Sequence, residues 1–203
     1  MKQTQRKTSS IRKREIALAV LSLIGERGAS ALRAATIAER VGVTPGALFR
    51  HFKSVDEILA ASVDMAIELV EETFPDPSLP AVERLEQMVL TRIAVIRSTP
   101  GLSWLLLSDQ VFLTVPTDAV KRLRKLVKRS REFLLSALRE GAADGSLRDD
   151  IEPRVMLVLL SGTVHALSGS GGAHGRVAKT SGSPPSPQRV VETLLELLGP
   201  LRL

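Results

Sequence analysis

The sequence contains no cysteine and no tyrosine, and aromatic residues make up only 3% of its 203 residues. Without cysteine, the chain has no disulfide, no thiolate nucleophile and no thiolate zinc site. This composition agrees with a reducing compartment, and we expect a cytoplasmic protein. The scarcity of aromatics disfavours an aromatic-rich β-sandwich. The hydrophobic fraction of 44%, rich in Leu, Val, Ala and Ile, favours helix packed on helix.

The sequence also has little that catalysis or membrane insertion would require. The apolar run Val155–Leu160 is far shorter than the roughly 20 residues that span a bilayer. The three histidines, His51, His165 and His174, lack the spacing of metal ligands. The glycine-rich stretch Gly169–Gly172 follows a predicted helix and lacks the Gly-Lys-Ser/Thr end of a phosphate loop. We therefore expect no metal, no cofactor and no enzymatic activity.

The N-terminal segment has two interpretations. Arg12–Arg14, the apolar stretch Ile16–Gly25 and then Ala29–Ala31 have the order of a secretory signal, which would indicate a secreted or periplasmic helical protein. The same residues also fit an amphipathic helix from about Ser10 to Arg27 that ends at Gly28. We prefer the helix, because it accounts for the whole segment.

Positive charge is concentrated at the N-terminus. Residues 1–56 contain 11 Lys and Arg against 4 Asp and Glu, a balance of +7, while residues 57–203 contain 17 and 18, a balance of −1. The net charge of +6 therefore comes entirely from the first segment. Because Lys and Arg neutralise phosphates in most DNA complexes, this asymmetry favours a nucleic-acid partner; a solubilising tail is the other interpretation.

Residues 36–52 predict two short helices joined by a tight turn. Gly42 ends the first helix at a position that often needs positive φ, and Thr44 and Pro45 suit the cap and first residue of the second. Leu48 and Phe52 lie four apart on one face, which we expect to be core together with Ala38. A helix-turn-helix with a cationic second helix is the arrangement that enters the DNA major groove.

The rest of the chain is predicted to be helical, so the fold class is all-α. Helical spacing or breakers place the further helices at about residues 54–73, 79–98, 102–112, 116–143, 153–167 and 188–198. We expect residues 1–9 to be a disordered basic arm and residues 169–187, rich in Gly, Ser and Pro, to be a flexible loop.

The last two predicted helices are apolar on nearly every side, so they must be buried on all sides. They are buried either within one chain or between the core and a second copy, and we prefer the second because helix-turn-helix proteins commonly bind as two-fold dimers. The expected dimer contacts are Val155, Leu159, Gly162, Val191, Leu194, Leu195 and Leu198.

Residues 11–60 resemble the TetR family of helix-turn-helix transcriptional regulators. The resemblance rests on the apolar first helix ending at Gly28, on Ile37–Val43, on Gly46–Phe52 and on the helix start at Ser54–Leu59. It implies a nine-helix protomer with a three-helix DNA-binding head in residues 1–56. It also implies a ligand-binding and dimerisation domain in residues 57–203.

We expect direct base reading from Arg50, whose planar fork fits guanine O6 and N7, with a phosphate contact as the alternative. Thr44 suits a phosphate at a helix start, and small residues there can meet thymine methyls. In the family, a hydroxyl residue before the second helix meets a phosphate; Arg33 stands there in this chain. The complete set of expected DNA contacts is Arg33, Thr36, Thr44, Pro45, Gly46, Ala47, Phe49, Arg50, His51 and Lys53.

A ligand cavity needs apolar walls and a few polar groups, and the C-terminal part offers candidates for both. They are Met88, Trp104, Phe112, Phe133 and His165, each of which could instead be an ordinary core or interface residue. These candidates favour a hydrophobic or aromatic effector.

Together these patterns predict a ligand-responsive regulator, a repressor in our interpretation. It would bind a near-palindromic operator as a homodimer and would be released by the effector. The alternatives are the secreted helical protein and a small all-α enzyme that uses the C-terminal cavity.

Overall fold

The computed structural model describes residues 2–168 and 185–200, with side chains from Ser9 onward within those ranges. The described residues form ten α-helices and no strand, so the predicted all-α fold is confirmed. The helices are α1 Lys2–Arg27, α2 Ala34–Val41, α3 Pro45–Leu48, α4 Val55–Glu71, α5 Ala81–Ser98, α6 Leu102–Leu107, α7 Val111–Thr114, α8 Thr117–Asp144, α9 Pro153–Ser168 and α10 Pro187–Leu198.

Helix α1 is longer than predicted. It begins at Lys2 rather than near Ser10, so most of the segment expected to be a disordered arm belongs to the helix. The residues before Ser10 include no glycine or proline, and Lys, Gln and Arg are good helix formers, so nothing local ends the helix earlier.

One predicted helix is divided in two. The segment expected as a single helix over residues 102–112 becomes α6 and α7, separated at Ser108, whose backbone is extended with φ −104° and ψ 132°. The Ser108 hydroxyl accepts a hydrogen bond from the backbone N–H of Gln110 at 3.3 Å. Serine side chains compete with helix hydrogen bonds in this way, which explains the interruption.

The chain packs as two compact units, of which the first comprises residues 1–69 and 98–125. Its core is an apolar cluster from the first four helices: Ile16, Val20, Leu23, Ile24, Ile37, Ala38, Leu48, Phe52, Ile58 and Leu59. Within this unit, Gly101 has φ 87°, and a Cβ there would lie 2.1 Å from the carbonyl oxygen of Leu21. Only glycine therefore permits this close approach of the α6 start to α1.

The second unit comprises residues 70–97 and 126–203. Its core joins α5, the later part of α8, α9 and α10, with Leu85, Met88, Ile93, Leu138, Met156, Leu160 and Val191 among its buried members. This division into packed units does not test the predicted boundary between a DNA-binding and a ligand-binding domain after residue 56, which stays a prediction.

Two further points concern the predicted flexible loop and the possibility of a membrane-spanning helix. The predicted flexible loop over residues 169–187 lies mostly outside the described residues, which resume at residue 185. Among the helices that the structure describes, none combines the length and apolar character needed to cross a membrane.

Candidate nucleic-acid interface

The turn between α2 and α3 is built by a glycine in the left-handed conformation. Gly42 has φ 68° and ψ 38°. The N–H of Gly42 donates to the carbonyl of Glu39 at 3.1 Å, and that of Val43 donates to the carbonyl of Ala38 at 2.9 Å. These two bonds form a Schellman motif, which satisfies the last carbonyls of α2 and reverses the chain. The predicted helix stop is therefore confirmed.

Helix α3 begins as predicted but is shorter. Thr44 is its N-cap, and the Thr44 hydroxyl accepts a hydrogen bond from the N–H of Ala47 at 3.2 Å. Pro45 occupies the first helical position. The α-helix ends at Leu48, and residues 49–51 continue as turns. The expected continuation to Phe52 is thus replaced by turns that still bring Phe52 to the core.

The inner face of this pair of helices holds the pair in place. Ile37, Ala38, Leu48 and Phe52 are all at most 2% exposed and share the first unit's core. The predicted core roles of Ala38, Leu48 and Phe52 are confirmed. Lys13 on α1 lies over the Phe52 ring, with its Nζ 5.0 Å from the ring centroid.

The outer face presents most of the predicted DNA contacts to solvent. Thr44, Pro45, Gly46, Phe49 and Arg50 are exposed, whereas Ala47 and His51 are half-buried. A Cβ added at Gly46 would meet no atom within 4 Å, so the start of α3 is an open surface. This is the end of a recognition helix that meets base edges in helix-turn-helix proteins.

Three cations at this surface have no acidic partner. Arg33, Arg50 and Lys53 are exposed, and within the described part of the chain none of them forms an ion pair. By contrast, Arg12, Lys13 and Arg14 on α1 each lie beside a glutamate. Arg33, Arg50 and Lys53, on and beside α2 and α3, are therefore available to a polyanion.

One contact at this site was not predicted from the sequence. Both terminal nitrogens of Arg40 on α2 donate to the carboxylate of Glu26 on α1. The hydrogen bonds from Arg40 lower the pKa of Glu26, and the same pair raises the pKa of Arg40. Glu26 and Arg40 lie on different helices, and helical spacing does not predict contacts between helices, so the sequence alone gives no signal for this pair.

Thr36 lies half-buried at the edge of an open cavity of about 290 Å³. Its other lining residues are Leu23 and Arg27 of α1 and Glu39 and Arg40 of α2. The predicted DNA contact of Thr36 stays a prediction.

The connection into α4 fixes the position of Lys53. The Ser54 hydroxyl accepts from the N–H of Glu57 at 3.1 Å, and the Glu57 carboxylate accepts from the N–H of Lys53 at 2.6 Å. This reciprocal arrangement is close to a capping box and confirms Ser54 as the predicted helix start. It anchors the Lys53 backbone while its side chain remains exposed.

The structure does not gather the five predicted ligand residues into one place. Met88 and Phe133 belong to the core of the second unit or pack against it, whereas Trp104 packs against the core of the first. Phe112 is 51% exposed, with the Arg124 guanidinium 4.7 Å from its ring centroid, and His165 is exposed. Phe112 and His165 lie on surfaces, because α7 and α9 each bury only their other face.

The predicted dimer residues fall into two groups. Val155, Leu159 and Gly162 are exposed on α9, beside Val158, which is 66% exposed. Val191, Leu195 and Leu198 of α10 are buried in the core of the same chain, and their role as dimer contacts stays a prediction. Leu194 is half-buried. The exposed apolar face therefore lies mainly on α9.

The sequence profile of the family described as "Bacterial regulatory proteins, tetR family" matches residues 16–62. This range covers most of α1, all of α2 and α3, and the first part of α4.

Curated relatives match most of the chain. An HTH-type transcriptional repressor KstR2 from Rhodococcus jostii is 29% identical over 156 residues, which cover 75% of this chain and 76% of the relative. The nucleoid occlusion factor SlmA from Marinobacter nauticus is 27% identical over 146 residues, covering 70% of this chain and 72% of that protein.

Solved structures share the fold over nearly the whole chain. AibR, in a complex with isovaleryl coenzyme A and operator DNA, gives a TM-score of 0.73 at 19% identity and covers 93% of this chain and 98% of its own. KstR2 of Mycobacterium tuberculosis gives 0.71 at 18% identity, with 92% of each chain covered.

Proposed function

Because the chain belongs to the TetR family of bacterial regulatory proteins, we propose that it is a transcriptional repressor that binds a near-palindromic operator as a homodimer. A small, mainly apolar effector releases it. The observation that carries this proposal is the exposed start of α3 together with the exposed cations Arg33, at the start of α2, and Arg50 and Lys53, after α3, none of which has an ion pair among the described residues.

In this proposal Arg50 reads a base. It lies two residues after the end of α3, it is exposed, and no described carboxylate holds its guanidinium. A bidentate contact with guanine O6 and N7 would contribute about 1–3 kcal/mol of discrimination against other bases. Arg33, Lys53 and His51 then contact phosphates, which sets the register of the head on DNA but adds no direct sequence preference.

The small residues at the α3 start allow close approach to the groove. Pro45, Gly46 and Ala47 leave an open surface at which thymine methyls can pack. The Thr44 hydroxyl caps α3 and is exposed, so it can also face a phosphate at the helix start.

Repression and effector control are proposed from the named relatives. KstR2 of Rhodococcus jostii is called a repressor, and AibR has been seen with both isovaleryl coenzyme A and operator DNA. An effector can release this chain from DNA only if it binds the released conformation more tightly than the DNA-bound one. We propose regulation by binding rather than by catalysis, in the cytoplasm.

The dimer is proposed to form through the exposed apolar face of α9. Two recognition helices held about 34–36 Å apart would fit successive major-groove turns on one side of the duplex. A two-fold arrangement of this kind reads a near-palindrome.

The test is selection of bound duplexes from a random DNA pool at two salt concentrations, with the wild-type protein, Arg50→Ala and Arg97→Ala. Arg97 is exposed on α5 and serves as the matched control for loss of one positive charge. We expect a near-palindromic consensus with the wild type and the control. We expect Arg50→Ala to lose preference at one position in each half-site. Salt-sensitive binding without any consensus would contradict the proposal.

A further inference from the structure

We propose that Arg92 anchors the single carboxylate of a ligand whose remaining body is apolar. The proposal deepens the proposed function and rests on it in one respect, namely that this ligand is the effector. The site lies within the second unit, between the end of α4, α5 and α8.

The Arg92 guanidinium is held by neutral groups. Its Nε donates to the Thr73 hydroxyl at 2.7 Å, and its Nη1 donates to the Ser130 hydroxyl at 3.2 Å. Thr73 and Ser130 are both buried, and the Thr73 hydroxyl donates onward to the carbonyl of Val70 at 2.6 Å. The two hydroxyls fix the orientation of the guanidinium but provide no negative charge.

No acidic side chain of the chain neutralises Arg92. All 22 Asp and Glu lie among the described residues, and none of them forms an ion pair with Arg92. Arg84, on the same helix and buried, provides the contrast, because it pairs with the carboxylate of Glu140. Arg92 is half-buried as a residue, and its Nη2 atom is buried. Charged groups that are shielded from water are ordinarily paired, and the Nη2 atom of Arg92 is both buried and without a partner among the described residues. The counter-ion of Arg92 therefore comes from another molecule.

Two hydrogen-bond donors at this point have no acceptor. The Nη2 atom of Arg92 is buried and has no partner among the described residues. The Ser130 hydroxyl accepts from Arg92, and no described group accepts its own proton. One N–H and one O–H next to a single positive charge suit the two oxygens of a carboxylate. They would leave most oxygens of a phosphate or a polyphosphate unsatisfied.

The surroundings suit an apolar ligand body. The Phe74 ring lies 5.4 Å from the Arg92 guanidinium carbon and meets the Phe133 ring edge-on at 5.4 Å between centroids. Met88, one turn before Arg92 on α5, is buried in the adjoining core. Two of the predicted ligand residues, Met88 and Phe133, are therefore in the apolar surroundings of this arginine.

A second arginine increases the positive charge only slightly. The Arg129 guanidinium carbon lies 4.6 Å from the Phe74 ring centroid, and its Nη1 is paired with Glu71 at 2.6 Å. The opposite charges of Arg129 and Glu71 cancel, so the net charge of the site is the single positive charge of Arg92. Burial lowers the pKa of Arg92 to about 10, which leaves it protonated at neutral pH.

The experiment measures binding by isothermal titration calorimetry with hexanoate, decanoate, palmitate and phenylpropionate, each compared with its primary alcohol and with inorganic phosphate. The proteins are the full chain, Arg92→Met, and Arg97→Met as the matched control on the same helix. We expect at least one carboxylate to bind more tightly than its alcohol. We expect Arg92→Met to weaken carboxylate binding by at least about tenfold without changing alcohol binding, and Arg97→Met to bind as the wild type does.

Thermal denaturation separates an anchoring role from a purely structural one. Because Arg92→Met removes a half-buried charge that has no counter-ion among the described residues, we expect the thermal midpoint not to fall. Ser130→Asp places a carboxylate beside Arg92 and should abolish carboxylate binding while the protein stays folded. Carboxylates that bind no better than alcohols or phosphate, or that bind Arg92→Met as well as the wild type, would overturn the proposal.

Operator binding by the same proteins distinguishes this inference from the proposed function. If carboxylates bind at Arg92 but leave DNA affinity unchanged, the site stands and its role as effector site fails. If the wild type selects no operator at all, the proposed function fails whether or not Arg92 binds a carboxylate.

Discussion

At Gly42, conformation rather than space determines the residue type. A Cβ at this position would touch nothing within 4 Å, yet φ is 68°. Left-handed backbone costs most L-residues about 1–2 kcal/mol, and asparagine less than most. The need for glycine at this turn is therefore a property of the backbone.

We expect Gly42→Ala to lower the free energy of unfolding by about 1 kcal/mol without rearranging the core. Gly42→Asn should lower the free energy of unfolding by less, because asparagine tolerates the left-handed conformation better than alanine does. Urea denaturation followed by circular dichroism measures both. Equal stability of the alanine variant and the wild type would show that the turn adopts another conformation in solution.

Arg40 and Arg50 show that an acidic partner decides whether an arginine is structural or is available to DNA. Arg40 and Arg50 lie on either side of the turn, and both are exposed. Glu26 holds Arg40 against α1, whereas no described carboxylate holds Arg50. The sequence gives the same residue type at both positions, and only the fold separates a structural arginine from one that is available to DNA.

At the scale of elements, α4 starts at a defined cap. Ser54 and Glu57 satisfy two backbone N–H groups at the junction that follows the helix-turn-helix. The acidic residues Asp56 and Glu57 in the first turn also suit the positive end of the helix dipole. These local interactions explain why the sequence predicted this helix start correctly.

We expect Ser54→Ala to destabilise the protein by about 1 kcal/mol, because the N–H of Glu57 loses its acceptor. Ser54→Asp retains an acceptor and should keep most of the stability. Chemical denaturation of the two variants beside the wild type provides the measurement. A loss of equal size in both would argue against capping as the cause.

The Glu26–Arg40 pair connects α1 to α2 and should make stability depend on pH. The pKa of Glu26 is lowered in the folded chain, so ionisation of this carboxylate stabilises the folded state relative to the unfolded state. This contribution is present above the ordinary glutamate pKa of 4.5 and is lost as the pH falls through the lowered value. Because both side chains face solvent, salt should weaken it as well.

We expect Glu26→Gln to be less stable than the wild type at pH 7 and to approach it as the pH is lowered below about 4. Denaturation midpoints of both proteins across this range, at low and high salt, test the effect. Glu72→Gln is the control, since Glu72 is exposed and no described residue forms an ion pair with it, whereas Glu39 acts electrostatically on Arg40 itself. A difference between wild type and Glu26→Gln that persists unchanged at low pH would rule out the ionic interaction.

For the whole molecule, α9 has two apolar faces with different surroundings. Met156, Leu157 and Leu160 are buried in the second unit, whereas Val155, Val158 and Leu159 are exposed. An exposed row of aliphatic side chains on one helix indicates a surface that a partner covers. In the proposed homodimer that partner is a second copy of the same chain.

We expect Val158→Glu to weaken dimerisation at least about tenfold, because two symmetry-related charges would be buried without partners. Leu113→Glu is the matched control, since Leu113 is 90% exposed on α7. Sedimentation equilibrium gives the association constants, and circular dichroism checks the fold. A wild-type protein that is monomeric, or a Val158→Glu variant as dimeric as the control, would contradict the proposed interface.

Much of the fold was predictable because its signals are local. Helical periodicity, Gly42, Thr44, Pro45 and Ser54 each act over a few residues, and the structure confirms them. The division of α6 from α7 was missed, because the same Ser-Asp-Gln sequence can continue a helix or interrupt it. The role of α10 in a dimer stays a prediction, because an apolar pattern predicts burial without specifying whether the partner is the same chain or another.

What the sequence by itself determined is the all-α class, the helix-turn-helix and the charge asymmetry, because these depend on spacing and composition along the chain. Only the tertiary structure decided which arginines are paired, because ion pairs such as Glu26–Arg40 and Arg84–Glu140 join residues far apart in sequence. The same holds for Arg92. That no Asp or Glu side chain pairs with it becomes visible only when all of these side chains have been placed in three dimensions, since a charge is compensated through space and not along the chain.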